Sequence, residues 1–215
     1  MIFHPTNWLT ITTISGQITN CLKILMPLYA SNYAKKKDRK PDPTGAIIDS
    51  QSVKGTPESR RASGFDGGKL VKGRKRHIVV DTMGCVLVVW VHAANMFDGT
   101  AAREVIARLF LLIQSVKIIW ADGAYAGAEL IEWVFKQFAC TLTIVKKQTG
   151  RQGFHVLPRR WVVERTFAWL GRSRRLSKDY ERKPTSSESQ VYLASSRLLL
   201  RQICNNQIHY KLATS

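Results

Sequence analysis

Short apolar runs of strand length alternate with segments of helical periodicity between residues 46 and 203, and this order constrains the fold more than any other feature. The pattern predicts three strands first, with Thr82-Met83-Gly84 as a hairpin turn, and then helices that alternate with strands. The predicted elements lie at 46–49, 77–81, 85–93, 100–113, 116–120, 128–138, 141–145, 158–176 and 189–203. Three strands followed by this alternation predict an α/β fold, a mixed sheet flanked by helices.

Two aspartates follow strands of this predicted sheet. Asp49 ends the first strand, and Asp122 follows the fourth. The element order matches the ribonuclease H-like architecture, in which the first and fourth strands are parallel neighbours. Sites in open α/β sheets lie at the carboxyl ends of strands, so both carboxylates are expected at one end of the sheet. Taken alone, a turn role is favoured for each aspartate over a metal ligand. As a close pair they need a cation or a proton between them, and Mg²⁺ takes such oxygen ligands.

A third acid, Glu164, lies on the helix predicted at 158–176. It falls at the edge of a broad apolar arc and shares its face with Arg160, Ala168 and Gly171. The small residues leave room for a bulky ligand. The alternative is an ordinary surface helix in which Arg160 and Glu164 form an i, i+4 pair that contributes about 0.3 kcal/mol.

Two further acids have local interpretations. Asp81 leads directly into the hairpin turn, which favours a turn role. Asp98 precedes the helix that is predicted to begin with Thr100 as its N-cap, so a cap or loop role is favoured for it. An accessory role of Asp98 in an active site stays open.

The charge balance predicts a polyanionic partner. The chain has 33 Lys and Arg residues against 15 Asp and Glu, a formal net charge of +18. Nucleic acid is the first candidate, with a ribosome-associated or membrane-surface protein as the alternative. Residues 55–76 are rich in Gly, Arg and Lys without periodicity and predict a basic loop. The expected phosphate contacts are Lys69, Lys72, Arg74, Lys75, Arg76, Arg159, Arg160, Arg165, Arg172, Arg174 and Arg175.

The cysteines and apolar runs narrow the class of protein further. Cys21, Cys85, Cys140 and Cys204 are far apart, which argues against a zinc site or a disulfide framework and favours a reducing cytoplasm. No apolar run approaches the roughly 18 residues needed to span a bilayer, so no membrane partner is expected.

Composition divides the chain into three parts. Residues 1–44 are expected to form a poorly packed arm, with a short helix at Cys21–Ala30 and a basic linker at 35–44. Residues 45–203 carry the predicted catalytic domain. Residues 204–215 are expected to form a C-terminal tail.

Four ordered motifs resemble one known family. AIIDSQSVKG (46–55), GGKLVKGRKRHIVVDTMG (67–84), IIWADGAYAG (118–127) and LPRRWVVERTFAWLGRSRRLSKDYER (157–182) are similar to the DDE transposases of bacterial insertion sequences, in the group without a large insertion before the glutamate. The resemblance covers roughly residues 44–203. It implies a ribonuclease H-like catalytic domain that cleaves the ends of an element and transfers the strands.

The resemblance also implies site residues and partners. The triad is Asp49, Asp122 and Glu164, which would hold two Mg²⁺ ions, with Mn²⁺ as the alternative, and Arg160 with Glu164 matches the family's Arg-x-x-x-Glu element. The family's following Lys corresponds to Gly171, with Arg172 as a substitute. The implied partner is DNA, bound by a homodimer or a higher oligomer in the cytoplasm, at the nucleoid.

Relatives carry about a hundred residues before the first aspartate, where this chain has 48. From this difference we expect the sequence to be either a truncated copy of a transposase gene or one frame of a split gene. Two alternatives to a transposase therefore stay open: a simple nuclease on the same fold, and an inactive DNA-binding remnant.

Overall fold

The computed structural model describes the backbone of residues 6–145 and 159–213, and the side chains of 20–145 and 159–204. Within these ranges the strands are β1 Gly45–Lys54, β2 Gly64–Asp66, β3 Val71–Asp81, β4 Val86–Ala93, β5 Ile118–Ala121 and β6 Thr141–Ile144. The α-helices are α1 Thr6–Lys35, α2 Asp98–Leu112, α3 Ala128–Phe138, α4 Trp161–Gly171 and α5 Pro184–Ala213. Short 3-10 helices lie at Pro57–Ala62, Gly123–Tyr125 and Arg174–Leu176.

The strands form one mixed sheet in the order β2-β3-β1-β5-β6, with β4 also paired to β3. β1 is antiparallel to β3 and parallel to β5, and β5 is parallel to β6. The long β3 pairs with β2 through its first residues and with β4 through the remainder. The predicted mixed α/β sheet is confirmed, and so is the parallel pairing of the first strand with the strand that precedes Asp122.

Helices cover both faces of the sheet. Along β1, Ile47 packs in one apolar cluster with Val163 of α4, whereas the next residue, Ile48, packs in the other with Ile106 of α2. All four side chains are fully buried, and burial of one such side chain stabilises the fold by roughly 1.5–3 kcal/mol. Alternation along β1 therefore directs the odd-numbered residues towards α4, which carries Glu164.

The predicted basic loop at 55–76 is wrong for most of its length. Its second half forms β2 and the start of β3, and β1 continues beyond Asp49 to Lys54. Arg74 and Arg76 occupy inward positions of β3 and are buried. A cation at an inward position breaks the alternation of apolar and polar residues, so the strand could not be recognised from hydrophobic pattern.

The two chain ends also differ from expectation. A single helix, α1, replaces the short helix predicted at Cys21–Ala30, and its residues Met26, Ala30 and Ala34 are buried. This half of α1 packs along α5, so it is not a poorly packed arm. Likewise, α5 continues to Ala213, through most of the predicted tail at 204–215.

Other boundaries shift slightly. α2 begins at Asp98, so Thr100 is not its N-cap. α4 begins at Trp161 and ends at Gly171, whereas the predicted start of this helix, Pro158, lies outside the described residues. None of the described helices is long and apolar enough to span a bilayer.

Candidate active site

Asp49 and Asp122 lie at matching positions on neighbouring strands. The parallel pairing of β1 and β5 ends with Ile47 opposite Trp120, and each aspartate comes two residues after its member of that pair. An equal offset puts both side chains on the same face of the sheet. The sequence predicted Asp49 at the end of the first strand, but β1 continues past it, so Asp49 lies within the strand. The parallel partner, β5, does end there, one residue before Asp122.

Backbone donors hold both carboxylates. Oδ1 of Asp49 accepts a hydrogen bond of 2.7 Å from the N–H of Ser50, and Oδ1 of Asp122 accepts one of 2.9 Å from the N–H of Ala124. Asp122 thereby caps the 3-10 helix Gly123–Tyr125. Local backbone groups therefore fix one oxygen of each aspartate.

Arg160, the residue immediately before α4, lies between all three acids. Its Nη2 lies 3.4 Å from Oδ2 of Asp49, 3.7 Å from Oδ2 of Asp122 and 3.5 Å from Oε1 of Glu164. The side chain of Asp49 is only 14% exposed, whereas that of Glu164 is 47% exposed. Three carboxylates, from β1, from the end of β5 and from α4, thus converge on one guanidinium.

The surroundings of Asp49 disfavour its charged form. Burial raises the pKa of Asp49 from 3.8 to about 6, and the charge of Asp122 adds to this effect. The N–H of Ser50 and the guanidinium of Arg160 oppose it. At neutral pH, Asp49 is ionised at a free-energy cost that a cation would offset.

The donor set of the site fits a hard cation. Three carboxylates offer only oxygen ligands, the chemistry that Mg²⁺ takes, and Arg160 supplies the positive charge between them. As they stand, no three His, Cys, Asp or Glu side chains in the described part of the chain are arranged to hold a metal ion. Asp49, Asp122 and Glu164 could hold one once the guanidinium withdraws.

Some of the predicted phosphate contacts are exposed. Nζ of Lys69 lies 3.3 Å from the carbonyl oxygen of Ser50, next to Asp49. The guanidinium of Arg159 stacks on Trp120 at 4.6 Å. The exposed members of the predicted set are Lys69, Lys72, Arg159, Arg172, Arg174 and Arg175, and the last pairs with Glu181 at 2.6 Å.

Four other predicted contacts are held within the fold, which corrects the role expected for them: Arg74, Lys75 and Arg76 are buried and Arg165 is half-buried. Arg74 pairs with Asp179 at 3.1 Å, both side chains fully buried, and Arg76 donates to two backbone carbonyls. Lys75 lies between Asp66 and Asp98. Arg165 stacks on Trp161 and Trp169 and donates to the carbonyl of Met83. These four cations join parts of the fold and do not offer free donors to a phosphate.

A polar cluster behind Asp49, on the other face of the sheet, was not predicted. The carboxylate of Asp98 accepts from Ser50 at 3.2 Å and lies 3.0 Å from Nζ of Lys75 and 3.2 Å from Nε2 of His77. Although burial raises the pKa of Asp98, its hydrogen bonds with His77 and Lys75 outweigh this effect and hold the pKa well below its usual range. Asp98 therefore contacts the residue that follows Asp49 and does not cap α2.

Tyr125 is a second residue that sequence reasoning missed. Its side chain is buried, and burial together with the charges of Asp49, Asp98 and Asp122 raises its pKa well above the usual value. Within the described residues its hydroxyl has no hydrogen-bond partner. Its position three residues after Asp122 was the available signal.

The turn role predicted for Asp81 is confirmed, because its carboxylate accepts from the N–H groups of Met83 and Cys85.

The protein thus has a mixed α/β sheet, with two aspartates on adjacent parallel strands and a glutamate on a covering helix, and the three acids lie around one arginine. Residues 40–199 match the family model of the transposase DDE domain, and the chain belongs to this family.

Two individual proteins are similar to the chain. A putative transposase for insertion sequence element IS402 from Burkholderia cepacia is 31% identical over 118 residues, which cover 52% of this chain and 55% of that protein. The chain thus spans about half the length of this curated relative. A solved piggyBac transposase synaptic complex with hairpin DNA aligns with 53% of this chain and 25% of its own, at 14% identity and a TM-score of 0.34. That similarity is too low to support any argument.

Proposed function

We propose that this chain catalyses metal-dependent cleavage and strand transfer of DNA at the ends of an insertion sequence. The observation that carries the proposal is the convergence of Asp49, Asp122 and Glu164 on Arg160. Membership of the transposase DDE domain family supports the same reaction class.

The three acids would hold two Mg²⁺ ions, with Mn²⁺ as the alternative. Bound Mg²⁺ supplies activation of a water or a 3′-hydroxyl and stabilisation of the leaving oxygen at phosphorus. Asp49 and Asp122 are fixed by backbone N–H groups, so they provide a rigid half of the site. The more exposed Glu164 provides an adjustable half.

Arg160 has a separate role from the carboxylates. Without a bound cation, its guanidinium offsets their mutual repulsion. In the DNA complex we expect it to turn from the acids to a substrate phosphate, which accepts the two-pronged hydrogen bonds that a guanidinium donates. The exposed cations Lys69, Arg159 and Arg172 would add phosphate contacts that carry affinity and not sequence specificity.

Nicking of supercoiled plasmid in Mg²⁺ tests the catalytic part. We expect nicking in Mg²⁺ or Mn²⁺, none in EDTA, and a loss of at least a hundredfold in Glu164→Gln, with DNA affinity unchanged. Glu132→Gln is a matched control, because Glu132 is an exposed acid of α3 that pairs only with Lys136 among the residues described. Equal nicking by wild type and Glu164→Gln would contradict the proposal.

A second assay separates the two alternatives. Joining of pre-cleaved element ends to a target plasmid distinguishes a transposase from a simple nuclease, which would nick but not join. Protein that binds DNA but gives no metal-dependent product in either assay is an inactive remnant. Calorimetric titration of Mg²⁺ into wild type and Asp49→Asn reports directly on the metal site, independently of activity.

A further inference from the structure

A groove lies along the sheet beyond Asp49. It has a volume of about 480 Å³ and is bounded by the end of β1, the 3-10 helix Pro57–Ala62 and the β2–β3 hairpin. Three cations line it, Lys54, Arg60 and Lys72, together with the apolar side chains of Phe65 and Leu70. A ligand of this groove has to satisfy both the charges and the apolar surface.

The three cations of the groove are exposed to solvent and can contact a ligand. Lys54, Arg60 and Lys72 are exposed, and none of them pairs with a carboxylate among the residues that the structure describes. Glu58 lies on the same 3-10 helix but does not line the groove. A groove lined by three free cations and no acid is complementary to a polyanion.

The apolar side chains are displayed to solvent. Phe65 is 54% exposed and Leu70 is 75% exposed. Leu70 also has a φ of 53°, in the left-handed region that a leucine rarely adopts. An aromatic ring beside cations in an open groove is the arrangement that binds unpaired nucleotides, because bases stack on the ring while the cations contact phosphates.

The walls of the groove are fixed by the fold. Gly73 of β3 lies so close to the backbone of Val53 and Gly55 that a Cβ there would overlap them. The N–H of Thr56 donates to the carbonyl of Asp179 at 3.1 Å, and Asp179 is held by the buried Arg74. The groove is therefore preformed and does not need a ligand to order it.

The distance from the triad is set by β1. The groove begins at Lys54, five residues beyond Asp49 on the same strand, which is about 17 Å at roughly 3.3 Å per residue. Lys54 lies on the opposite face of β1 from Asp49, whereas Lys72 and its partner Phe65 lie on the face of Asp49 by the register of β1, β2 and β3. Stacked DNA rises about 3.4 Å per nucleotide along one strand. A strand that keeps this stacked spacing, with one phosphate at the triad, therefore reaches the groove after about five nucleotides.

We propose that this groove binds an unpaired segment of a DNA strand about five nucleotides from the scissile phosphate. Lys54, Arg60 and Lys72 contact its phosphates, and a base stacks on Phe65. The inference rests on the proposed function for the identity of the polyanion and adds a second contact region to it. Its test uses binding alone, so the two proposals can fail separately.

The experiment measures DNA affinity in EDTA by fluorescence anisotropy, in the Glu164→Gln background. One probe is a blunt duplex, and the other is the same duplex with a five-nucleotide single-stranded extension that carries 2-aminopurine. We expect Phe65→Ala to weaken binding of the extended probe roughly tenfold, with at most a twofold effect on the blunt duplex. Quenching of 2-aminopurine on binding should be lost as well.

Matched variants separate stacking and charge from general effects. Phe135→Ala removes another exposed phenylalanine, on α3, and should leave the affinity for both probes unchanged. Lys54→Ala with Lys72→Ala should lower the salt dependence for the extended probe by about 1.4 in logarithmic slope, near 0.7 for each phosphate that is no longer neutralised. Lys136→Ala is the charge control. Circular dichroism melting checks that each variant is folded.

Two outcomes would overturn the inference. If folded Phe65→Ala binds the extended probe as the parent does, no base stacks there. If the lysine variant loses affinity for both probes equally while Phe65→Ala is neutral, the groove is a duplex phosphate track. Loss of nicking in Glu164→Gln decides the proposed function in a separate assay, whatever the result here.

Discussion

Substitution of Asp49 by Asn should stabilise the protein when no divalent cation is present. The pKa of Asp49 is raised from 3.8 to about 6 by burial, so the native state keeps a proton that the unfolded chain has already lost between these pH values. The free energy of unfolding therefore falls as pH rises through this window. At 1.36 kcal/mol per pH unit, ionised Asp49 costs the native state about 3 kcal/mol above pH 6. An uncharged Asn has no such cost.

Thermal and urea unfolding in EDTA at pH 7.5 and pH 4 measure this effect. For a protein of this size about 3 kcal/mol corresponds to a rise in Tm of roughly 6–12 °C, expected at pH 7.5 and absent near pH 4. Asp98→Asn is the matched control with the opposite sign. Because its hydrogen bonds with His77 and Lys75 hold the pKa of Asp98 low despite burial, this variant should be less stable than wild type at pH 7.5.

Addition of Mg²⁺ should reverse the order of stability of wild type and Asp49→Asn. A ligand that binds only the native state stabilises it by about 4.1 kcal/mol at a thousand times its Kd. This exceeds the cost of ionised Asp49, so at such a concentration wild type should become the more stable protein, whereas Asp49→Asn should gain nothing from Mg²⁺. The reasoning is refuted if Asp49→Asn is no more stable than wild type at pH 7.5 in EDTA. It is equally refuted if the difference between the two proteins is the same at pH 4.

Two further substitutions test the buried and the bridging arginine. Arg74→Met should lower the free energy of unfolding by about 3–5 kcal/mol in urea titration, because it leaves the charge of the fully buried Asp179 without a paired cation. Arg175→Met, at an exposed ion pair, should change it by less than about 1 kcal/mol, and similar losses would contradict the burial argument. Arg160→Met removes the cation between the three carboxylates, so calorimetry should give tighter Mg²⁺ binding than in wild type while plasmid nicking is lost. Weaker Mg²⁺ binding would show that the guanidinium does not compete with the ion.

Elements whose pattern is local could be predicted from the sequence. Helix α3 was predicted at 128–138 and lies at Ala128–Phe138, because its apolar residues recur at helical spacing and face one core. The strand β4 was predicted within one residue for the same kind of reason. In both, the side chains that decide the structure are close together in the chain.

Elements that depend on distant partners were missed. The first part of β3 is stabilised by Arg74, whose partner Asp179 is 105 residues away, and no local pattern marks that pairing. Helix α1 packs along α5, with Ser196 Oγ 3.1 Å from Met26 Sδ across 170 residues. The sequence of α1 shows little contrast between an apolar and a polar face. Its burial therefore could not be predicted without knowing that it packs along α5.

The placement of the three acids on two neighbouring strands and one helix could be predicted from local features, although β1 continues past Asp49, whereas the balance of charge among them could not. The sequence places Arg160 one helical turn before Glu164, which by itself indicates an ordinary surface pair. The fold turns that pair into a bridge to two aspartates from separate strands. The cost of a buried Asp49 and the presence of Arg160 then have one explanation. Under the proposed function, a site that accepts cations has to keep carboxylates close together, and the guanidinium of Arg160 offsets their repulsion until the cations and a phosphate are bound.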